Sequence, residues 1–575
     1  MSTTDTPSEL DHLLRQKFWP EAIYDFAPVS VETRGQKRVR QMCDSIRAKP
    51  NWIEKLKDVK ICARWLIIAK YRGLTNPERD YAFEKLDYFA SLHTPGSNIY
   101  MSPVEQVWIS DSLIDPETEV QLKECETILE DVPDTKKDWH LNSNNQVLNL
   151  IDPSLFPLIY ACSHILITPI PSPIAALSLS TFGQTPGNHD AWREFLKEHY
   201  SSADDVDSSV YFMPEKPVRQ QGNHSIKPEN KFCWLPTEFD VADNGETTIK
   251  SYINNLHPVK HAAFYPIIAS IFSKFVPLLE HVLTDIAHPR PMYIIDQAEH
   301  ELYMRSYPDS EDDVDFIYKD WVRSYRHLEQ NPLPFEAPDR PKVPYSLRGR
   351  RLQAIVKMSN IFLTPKNRKY EGDTWHVEAL ENERIIATGI YYYDIDNVTE
   401  GNLAFRESVD TETIKYLQNR DDMISIDYDI FDGTDVYNRV KVSQLIGQVE
   451  IRNGRCIVFP NIYQHRVSGF KLANRKKPGH CKILTFFFID PSTKIPSTEI
   501  VPPQQKEWWC ETVTKAGRFA ELPIIIKENI FERVDFPISI KHAKSIRLEL
   551  MEEHKPAEDD NAIKGFEPYF TYSEN

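Results

Sequence analysis

Two short stretches of the chain hold side chains that could bind one metal ion together, Trp375-His376-Val377-Glu378 and Gln464-His465-Arg466-Val467. In a β-strand, side chains two positions apart point to the same face. His376 and Glu378 can therefore present an imidazole and a carboxylate side by side, and His465 from a later strand would complete the set. Two histidines and one carboxylate, with the opposite positions open, suit non-haem Fe(II) that activates O2.

The spacing of these residues is not specific by itself, because a histidine and a glutamate two apart also occur on the polar face of an ordinary strand. The surrounding sequence favours a metal site over an ordinary polar strand face. The His-x-Glu pair opens a β-rich region, and His465 follows the apolar segment Arg455–Pro460. A histidine just beyond such a strand can reach back to the mouth of a barrel. His257 and His480 are further candidate metal ligands, for which a structural role is the ordinary alternative.

The composition indicates a protein of two or three packed units. A chain of 575 residues is long for one hydrophobic core, and 41% of its residues are hydrophobic. A net charge of −18 disfavours a nucleic-acid partner, which requires a cationic surface. Eight cysteines without a C-x-x-C pair are typical of a reducing cell interior. We expect an intracellular protein, cytoplasmic or nuclear, with no secretory signal and no membrane span.

The N-terminal half is expected to be mostly helical. Apolar residues recur there at three- and four-residue spacing, in 53–71, 77–92 and 260–286. Five prolines then stand between residues 331 and 345, and such a density indicates an extended connector. These patterns predict four regions, namely a mostly helical region 1–330, a connector 331–345, a unit 346–503 and a tail 504–575 with a helix at 539–553.

The unit 346–503 is expected to be built from strands. Its short segments are rich in β-branched and aromatic residues and are bounded by turn residues, at 355–364, 384–393, 403–407, 448–459 and 481–490. The sequence Asn453-Gly454 lies within the fourth segment and predicts a hairpin there. Strands at this spacing predict an antiparallel sandwich or barrel. The expected fold class is α+β, with the helical N-terminal half packed on a C-terminal double-stranded β-helix, or jelly roll.

The order of the motifs in this unit resembles that of prolyl-hydroxylase-like 2-oxoglutarate/Fe(II) dioxygenases. The resemblance is carried by His376-x-Glu378, Ala387–Tyr393, Asn402–Arg406, Gly454–Pro460 and His465–Val467. Almost the whole chain is also similar to a largely fungal family, domain of unknown function 4246. The landmarks of that similarity are Ile151–Phe156, Ser251–Pro258, Trp375–Arg406, Phe459–Asn461, Gln464–Val467 and Val501–Gln505.

The first resemblance implies an Fe(II)/2-oxoglutarate-dependent dioxygenase, in which His376, Glu378 and His465 bind the iron. The 2-oxoglutarate co-substrate would be decarboxylated to succinate and CO2 while a substrate C–H bond is hydroxylated. In such enzymes the protein supplies position and the exclusion of water. The substrate, a protein side chain or a small molecule, is not indicated. Asn382, Glu383 and Gln464 are candidates for partners that orient the ligands, and a surface location is the alternative for each.

The same resemblance implies a cation that binds the distal carboxylate of 2-oxoglutarate. In prolyl-hydroxylase-like enzymes this arginine or lysine follows a glycine by two positions on the last core strand. The corresponding glycine here is Gly479, and the residue two positions on is Cys481. The candidates that replace the missing cation are, in order, Lys482, Arg406 and Arg475.

A run of three tyrosines, Tyr391–Tyr393, offers hydroxyl groups to the same carboxylate. Alternate residues of a strand face inward, and core packing is the ordinary interpretation of this run, with Tyr391 and Tyr393 as the candidate donors to that carboxylate.

Two other functions stay open at the level of the sequence. A metal-dependent, cupin-like enzyme would use the same three ligands without 2-oxoglutarate, which the missing arginine favours. A non-catalytic interaction or scaffold protein on a degenerate jelly roll would keep only the fold. The markers of α/β-hydrolases, P-loop proteins and dinucleotide-binding folds do not occur in the sequence.

Overall fold

The structure is a computed structural model, which describes residues 29–160, 162–166, 169–178, 231–288, 293–294, 331–340, 345–378, 381–407, 409–410, 413–414, 428, 439–441, 444–534, 537–558 and 569–571. The helices within these ranges are α1 (Arg34–Arg47), α2 (Trp52–Leu56), α3 (Val59–Tyr71), α4 (Asn76–Leu92), α5 (Pro116–Glu130), α6 (Phe264–Ala287), α7 (Lys506–Thr514), α8 (Ile524–Glu532) and α9 (Ile540–Glu558).

The helix ends follow local sequence signals. At the start of α4 the Thr75 hydroxyl accepts a hydrogen bond from the Glu78 backbone N–H, and the Glu78 carboxylate accepts one from the Thr75 N–H. This reciprocal pair satisfies two backbone donors that a helix start leaves open. The predicted helical segments 53–71, 77–92 and 260–286 correspond to α2 with α3, α4 and α6.

The strands within the described ranges are β1 (Val29–Ser30), β2 (Tyr100–Met101), β3 (Trp108–Ser110), β4 (Asp138–Trp139), β5 (Val147–Ile151), β6 (Leu158–Ile159), β7 (Phe232–Cys233), β8 (Thr237–Val241), β9 (Thr247–Ile249), β10 (Arg350–Leu363), β11 (Lys369–Gly372), β12 (Ile385–Asp396), β13 (Gly401–Glu407), β14 (Val409–Asp410), β15 (Arg439–Lys441), β16 (Gln444–Ile451), β17 (Cys456–Pro460), β18 (Gln464–Lys471), β19 (Gly479–Ile489) and β20 (Tyr569–Thr571).

Two antiparallel sheets hold most of these strands. The large sheet runs in the order β2-β3-β17-β12-β19-β10-β5-β4, and β8 and β9 extend it beside β10. The small sheet runs β11-β18-β13-β16. From β10 to β13 the chain alternates between the large and the small sheet, and it alternates again from β16 to β19.

The two faces of the large sheet are both buried. Its inner face, towards the small sheet, carries residues such as Ile361, Ile390 and Cys481, which share one apolar cluster with Leu403 and Phe405 of the small sheet. Its outer face lies against α6 and other helices, and its residues share a second cluster with the helical ones. A sheet covered on both faces shows no clean alternation of polar and apolar residues.

Helix α6 is the one helix of the described part of the chain that is long and apolar enough, by length and composition, to cross a membrane. Of its most apolar 18-residue window, 78% is buried inside the protein. Phe272 stacks on Phe239 with ring centroids 4.0 Å apart, and Phe275 packs on Phe486 at 5.4 Å. These contacts are those of a core helix behind a sheet.

The predicted α+β class is confirmed, since helices and antiparallel sheets occur together. The prediction of a mostly helical N-terminal half agrees only loosely with the structure, because strands β1 to β9 also lie before residue 330. The hairpin predicted at Asn453-Gly454 is wrong, because β16 and β17, which this turn connects, belong to different sheets. The boundaries of the four regions stay predictions, and strands β5 and β8 of the first region pair with β10.

Candidate metal centre

The site lies where the chain leaves β11 and runs alongside β18. Strand β11 ends at Gly372, whose φ of +91° lies in the left-handed region. A Cβ atom there would come within 2.5 Å of the Val467 carbonyl oxygen, so only glycine fits this close approach. Beyond it, His376 forms an isolated antiparallel bridge with His465, with backbone N–H···O distances of 3.2 and 2.9 Å.

The bridge brings the three predicted ligands together. One ligand atom from each of His376, Glu378 and His465 lies within 4.8 Å of the other two. The Glu378 Oε1 atom is 3.7 Å from His376 Nε2 and 3.3 Å from His465 Nε2. Ligands at about 2.1 Å from a metal and at right angles to one another lie roughly 3 Å apart, so small side-chain movements would admit an ion.

Neighbouring groups hold these side chains in place. The Asn461 side chain accepts a hydrogen bond from the Glu378 backbone N–H at 3.0 Å and donates one to the Glu378 carbonyl at 2.8 Å. It also donates to the Ile385 carbonyl at the start of β12. The His376 Nδ1 atom lies 2.8 Å from the Thr374 carbonyl oxygen, which leaves Nε2 for the cluster. Such partners fix the orientation of metal ligands.

The orienting residue Asn461 was missed by the sequence-based prediction. Of the predicted candidates, Gln464 accepts a hydrogen bond from the Arg406 guanidinium, and Asn382 donates one to the Phe232 carbonyl. The Glu383 carboxylate accepts one from the Trp234 backbone N–H. The signal for Asn461 was its place directly after β17, in the turn that leads to His465.

The electrostatics of the cluster follow from burying two imidazoles beside one carboxylate. Burial alone would lower the pKa of His376, but hydrogen bonding and the charge of Glu378 raise it to about 9. Burial would raise the pKa of Glu378, and the two histidines instead hold it well below its usual value. Burial and the charge of His376 lower the pKa of His465. The cluster therefore carries an ionised carboxylate and a neutral His465, both in the form that binds metal.

Lys482 and Cys481 lie on opposite faces of the large sheet. Cys481 is buried on the inner face among apolar residues. Lys482 lies on the outer face, where its ammonium donates to Glu126 at 2.7 Å and to Glu130 at 2.8 Å, both on α5. The structure therefore does not bring Lys482 to the metal cluster, because strand alternation turns it to the helical side.

The other two predicted cations are also directed elsewhere. In β13, Phe405 pairs with His465 and Arg406 pairs with Gln464, so Arg406 lies on the opposite face of the small sheet from His465. Its guanidinium lies 4.8 Å from the centre of the Trp375 ring. Arg475 is exposed in the connection between β18 and β19. Neither residue joins the cluster.

The tyrosine run shows the opposite alternation to the one predicted. Tyr391 and Tyr393 lie on the outer face, within the cluster that packs on the helices, and the Tyr393 hydroxyl donates to Asn360. Tyr392 lies on the inner face. Its hydroxyl is fully buried and has no hydrogen-bond partner among the residues that the structure describes. The Tyr391 hydroxyl on the outer face also has none among these residues.

The two additional candidate histidines lie outside the cluster. His480 Nε2 is 2.8 Å from Asp394 Oδ2. His257 Nδ1 accepts hydrogen bonds from the backbone N–H groups of Val259 and Lys260. Within the described part of the chain, the three residues 376, 378 and 465 form the only group that could hold a metal ion.

A comparison with family models gives a match over most of the chain. The family model described as "Protein of unknown function (DUF4246)" matches residues 79–512. No curated protein matches the sequence.

Among solved structures, the selenomethionine-labelled Fe(II)/(alpha)ketoglutarate-dependent dioxygenase TqaL is 9% identical, with a TM-score of 0.21. The match covers 68% of this chain and 95% of TqaL. A bsmA homolog from Methylobium petroleophilum PM1 is also 9% identical, with a TM-score of 0.15, and the match covers 33% of this chain and 57% of that one. With TM-scores this low, neither likeness bears on the fold or the activity of this chain.

Proposed function

Since this chain belongs to the DUF4246 family, whose function is unknown, its activity has to be inferred from the site, and we propose an Fe(II)- and 2-oxoglutarate-dependent dioxygenase of unidentified substrate. The family membership is the one that the sequence motifs predicted. The proposal rests on the site and on the arrangement of strands around it.

The observation that carries the proposal is the convergence of His376, Glu378 and His465. Three ligand atoms within 4.8 Å of one another, two of them nitrogens and one an oxygen, match the ligand set of non-haem Fe(II) oxygenases. A structural zinc site would enclose its metal with four protein ligands, and the described residues supply three. Three ligands leave the positions that a co-substrate and O2 require.

The strand order supports the proposal. Eight strands, β10 to β13 and β16 to β19 in chain order, form the sheets β17-β12-β19-β10 and β11-β18-β13-β16, with an apolar layer between them. We take this arrangement as a double-stranded β-helix. In it the cluster lies at one end of the space between the sheets, where a substrate can approach from outside.

The chain's own residues have defined tasks in this proposal. His376, Glu378 and His465 would bind Fe(II), which with 2-oxoglutarate and O2 supplies the oxidising chemistry of hydroxylation. Asn461 holds the Glu378 backbone, and the inner-face side chains keep water away from the reacting atoms. Trp375 packs against the guanidinium groups of Arg406 and Arg466, whose centres lie 4.8 and 4.5 Å from the centre of its ring, and these contacts hold the segment that carries His376.

One titration series tests the proposal. The purified protein is titrated anaerobically with Fe(II) and then with 2-oxoglutarate, and succinate is measured after air is admitted. We expect one equivalent of iron, binding of 2-oxoglutarate only when iron is bound, and slow succinate release without substrate. The His376→Ala variant should bind neither.

One observation favours a second candidate, a metal-dependent enzyme that does not use 2-oxoglutarate. The position expected for the anchoring arginine holds Cys481, which is 1% exposed and lies among apolar residues. In the same experiment such an enzyme would bind the metal and ignore 2-oxoglutarate. If the protein bound no metal in this experiment, the result would favour a non-catalytic scaffold protein with the same fold.

A further inference from the structure

Lys357 stands at an unusual place, on the inner face of the large sheet. Its register partner on β19 is Thr485, which in turn pairs with Ile390 of β12, and Ile390 pairs with Ile457 of β17. Residues that pair across neighbouring strands point to the same face. Ile390 and Ile457 belong to the apolar cluster between the two sheets, so Lys357 and Thr485 also point into that space.

The ammonium group of Lys357 takes part in no ion pair or side-chain hydrogen bond within the described part of the chain. A lysine inside a protein normally pairs with an acid, because an unpaired charge is costly to bury. Lys357 and its neighbour Ser359 are each only partly buried although they lie in the middle of β10. Ile483, which pairs with Ser359, is partly buried as well. The inner face is thus open to a space at this point.

The unpartnered hydroxyl of Tyr392 lies in the row next to that of Lys357. Tyr392 pairs with Ile483, and Ile483 pairs with Ser359. Neighbouring rows on one face of a sheet are about 7 Å apart. The lysine and the tyrosine therefore flank Ile483 and Thr485 of the strand between them, with Lys357 partly exposed and Tyr392 fully buried.

The metal cluster lies on the other side of the Lys357 row. Phe459 packs on the His465 ring with centroids 4.7 Å apart, and Phe459 pairs with Thr388, two positions before Ile390 on β12. Of these three rows along β12, that of Thr388 is therefore nearest to His465, that of Ile390 and Lys357 is next, and that of Tyr392 is third. The Thr388 hydroxyl is also buried without a partner among the described residues.

We infer that Lys357, with the hydroxyl of Tyr392, binds the distal carboxylate of a 2-oxo dicarboxylic acid whose 2-oxo acid end faces the metal ligands. The inference rests on the proposed function and names the cation that the sequence comparison left without a residue. An ammonium and a hydroxyl that lack partners gain charge-assisted hydrogen bonds from a carboxylate. In this assignment the cation does not lie on the last core strand, β19. It lies on the neighbouring strand β10, beside Thr485 of β19.

Two ligands that differ only at the distal end test this assignment. 2-Oxoglutarate has a carboxylate where 2-oxovalerate has a methyl group, and both give a visible charge-transfer absorption when they chelate Fe(II). Binding is measured anaerobically by this absorption. We expect the wild type to prefer 2-oxoglutarate strongly. Lys357→Met should lose about 100-fold in 2-oxoglutarate affinity, the order found when one partner of a buried charge pair is removed. Its affinity for 2-oxovalerate should stay unchanged.

Matched variants complete the test. Lys357→Arg should retain most of the preference, and Tyr392→Phe should lose about tenfold through one hydrogen bond to a charged group. Lys482→Met removes a lysine from the other face of the neighbouring strand and should not alter the preference. A Lys357→Met protein that prefers 2-oxoglutarate as strongly as the wild type overturns the assignment alone. A wild type that gives no absorption with either acid overturns the proposed function and the assignment with it.

Discussion

Lys482 and Lys357 lie on neighbouring strands of one sheet, but on opposite faces and in contrasting surroundings. On the outer face, Lys482 donates to Glu126 and Glu130, and the same region pairs His480 with Asp394. On the inner face, Lys357 has no such acid within the described part of the chain. The fold itself therefore balances the charge of Lys482, whereas no acid of the described residues balances that of Lys357.

In our proposal, this contrast separates residues that hold the fold together from residues that bind the co-substrate. A buried polar group without a partner costs free energy, and the low-dielectric interior increases that cost. The Tyr392 and Thr388 hydroxyl groups lie on the inner face, on the side of the sheet that faces the candidate metal site, and neither has a partner among the described residues. A bound co-substrate would supply acceptors to these groups. The two faces should therefore respond differently to substitution.

The largest difference is expected for metal binding. His376→Ala should weaken Fe(II) binding by more than about 100-fold, because loss of a mere orienting partner of a metal ligand already costs 10- to 100-fold. The matched control is His480→Ala, which removes a histidine that also faces a carboxylate but on the outer side. Anaerobic equilibrium dialysis measures both affinities.

The control variant should bind iron as the wild type does. Equal loss in both variants would mean that iron binding follows general stability, and the distinction between the faces would fail.

The second largest effect is expected for the stability of the outer face. Lys482→Met leaves Glu126 and Glu130 without their cation, and we expect it to lower the free energy of unfolding by about 3 kcal/mol at pH 8. Burial already raises the pKa of Glu126 to about 7, so this carboxyl takes up a proton readily in the folded variant. The loss should shrink as the pH falls below 7. Urea unfolding at several pH values measures it, and a pH-independent loss would contradict this account.

A third effect concerns the pH dependence of metal binding. Metal binds the neutral imidazole, and the pKa of His376 is about 9 in the metal-free protein. Binding near neutrality therefore displaces one proton, and the association constant for Co(II) should rise about tenfold per pH unit from about pH 6.5 to 8. An unperturbed histidine would give a plateau above about pH 6.5 instead. A plateau in this range would show that Glu378 does not hold the proton on His376.

The closeness of His376 and Glu378 was predictable from the sequence, because a two-residue spacing in an extended segment fixes their relation locally. The alternation of the tyrosines was not. Helices cover the outer face of the large sheet and the small sheet covers its inner face, so Tyr391, Tyr392 and Tyr393 are all buried and hydrophobicity does not tell their faces apart. The position of Lys357 on the inner face was not predictable for a related reason, because only its pairing with Thr485 shows which face it occupies.

The wrong prediction of a hairpin at Asn453-Gly454 has a different cause. Asn453-Gly454 does form a turn, and Gly454 has a φ of +78°. A turn of this kind makes a hairpin when the two strands that it connects belong to one sheet and pair with each other. Here the chain crosses from the small sheet to the large one, and β17 pairs with β12 and β3. Whether a turn closes a hairpin or a crossover depends on long-range partners that local sequence does not specify.

The smallest effect sharpens the comparison of the two lysines. Without a ligand, Lys357→Met removes a partly buried charge that pairs with no acid in the described part of the chain, and methionine has a similar length. The free energy of unfolding should therefore change by less than about 0.5 kcal/mol, in contrast to Lys482→Met.

With Fe(II) and 2-oxoglutarate at about 100 times the dissociation constant, the wild type should gain about 2.7 kcal/mol from binding. At the same concentrations the variant should gain much less, because its affinity is lower. Thermal unfolding with and without the two ligands measures both quantities, and a large loss in the ligand-free Lys357→Met protein would make this lysine a structural residue like Lys482.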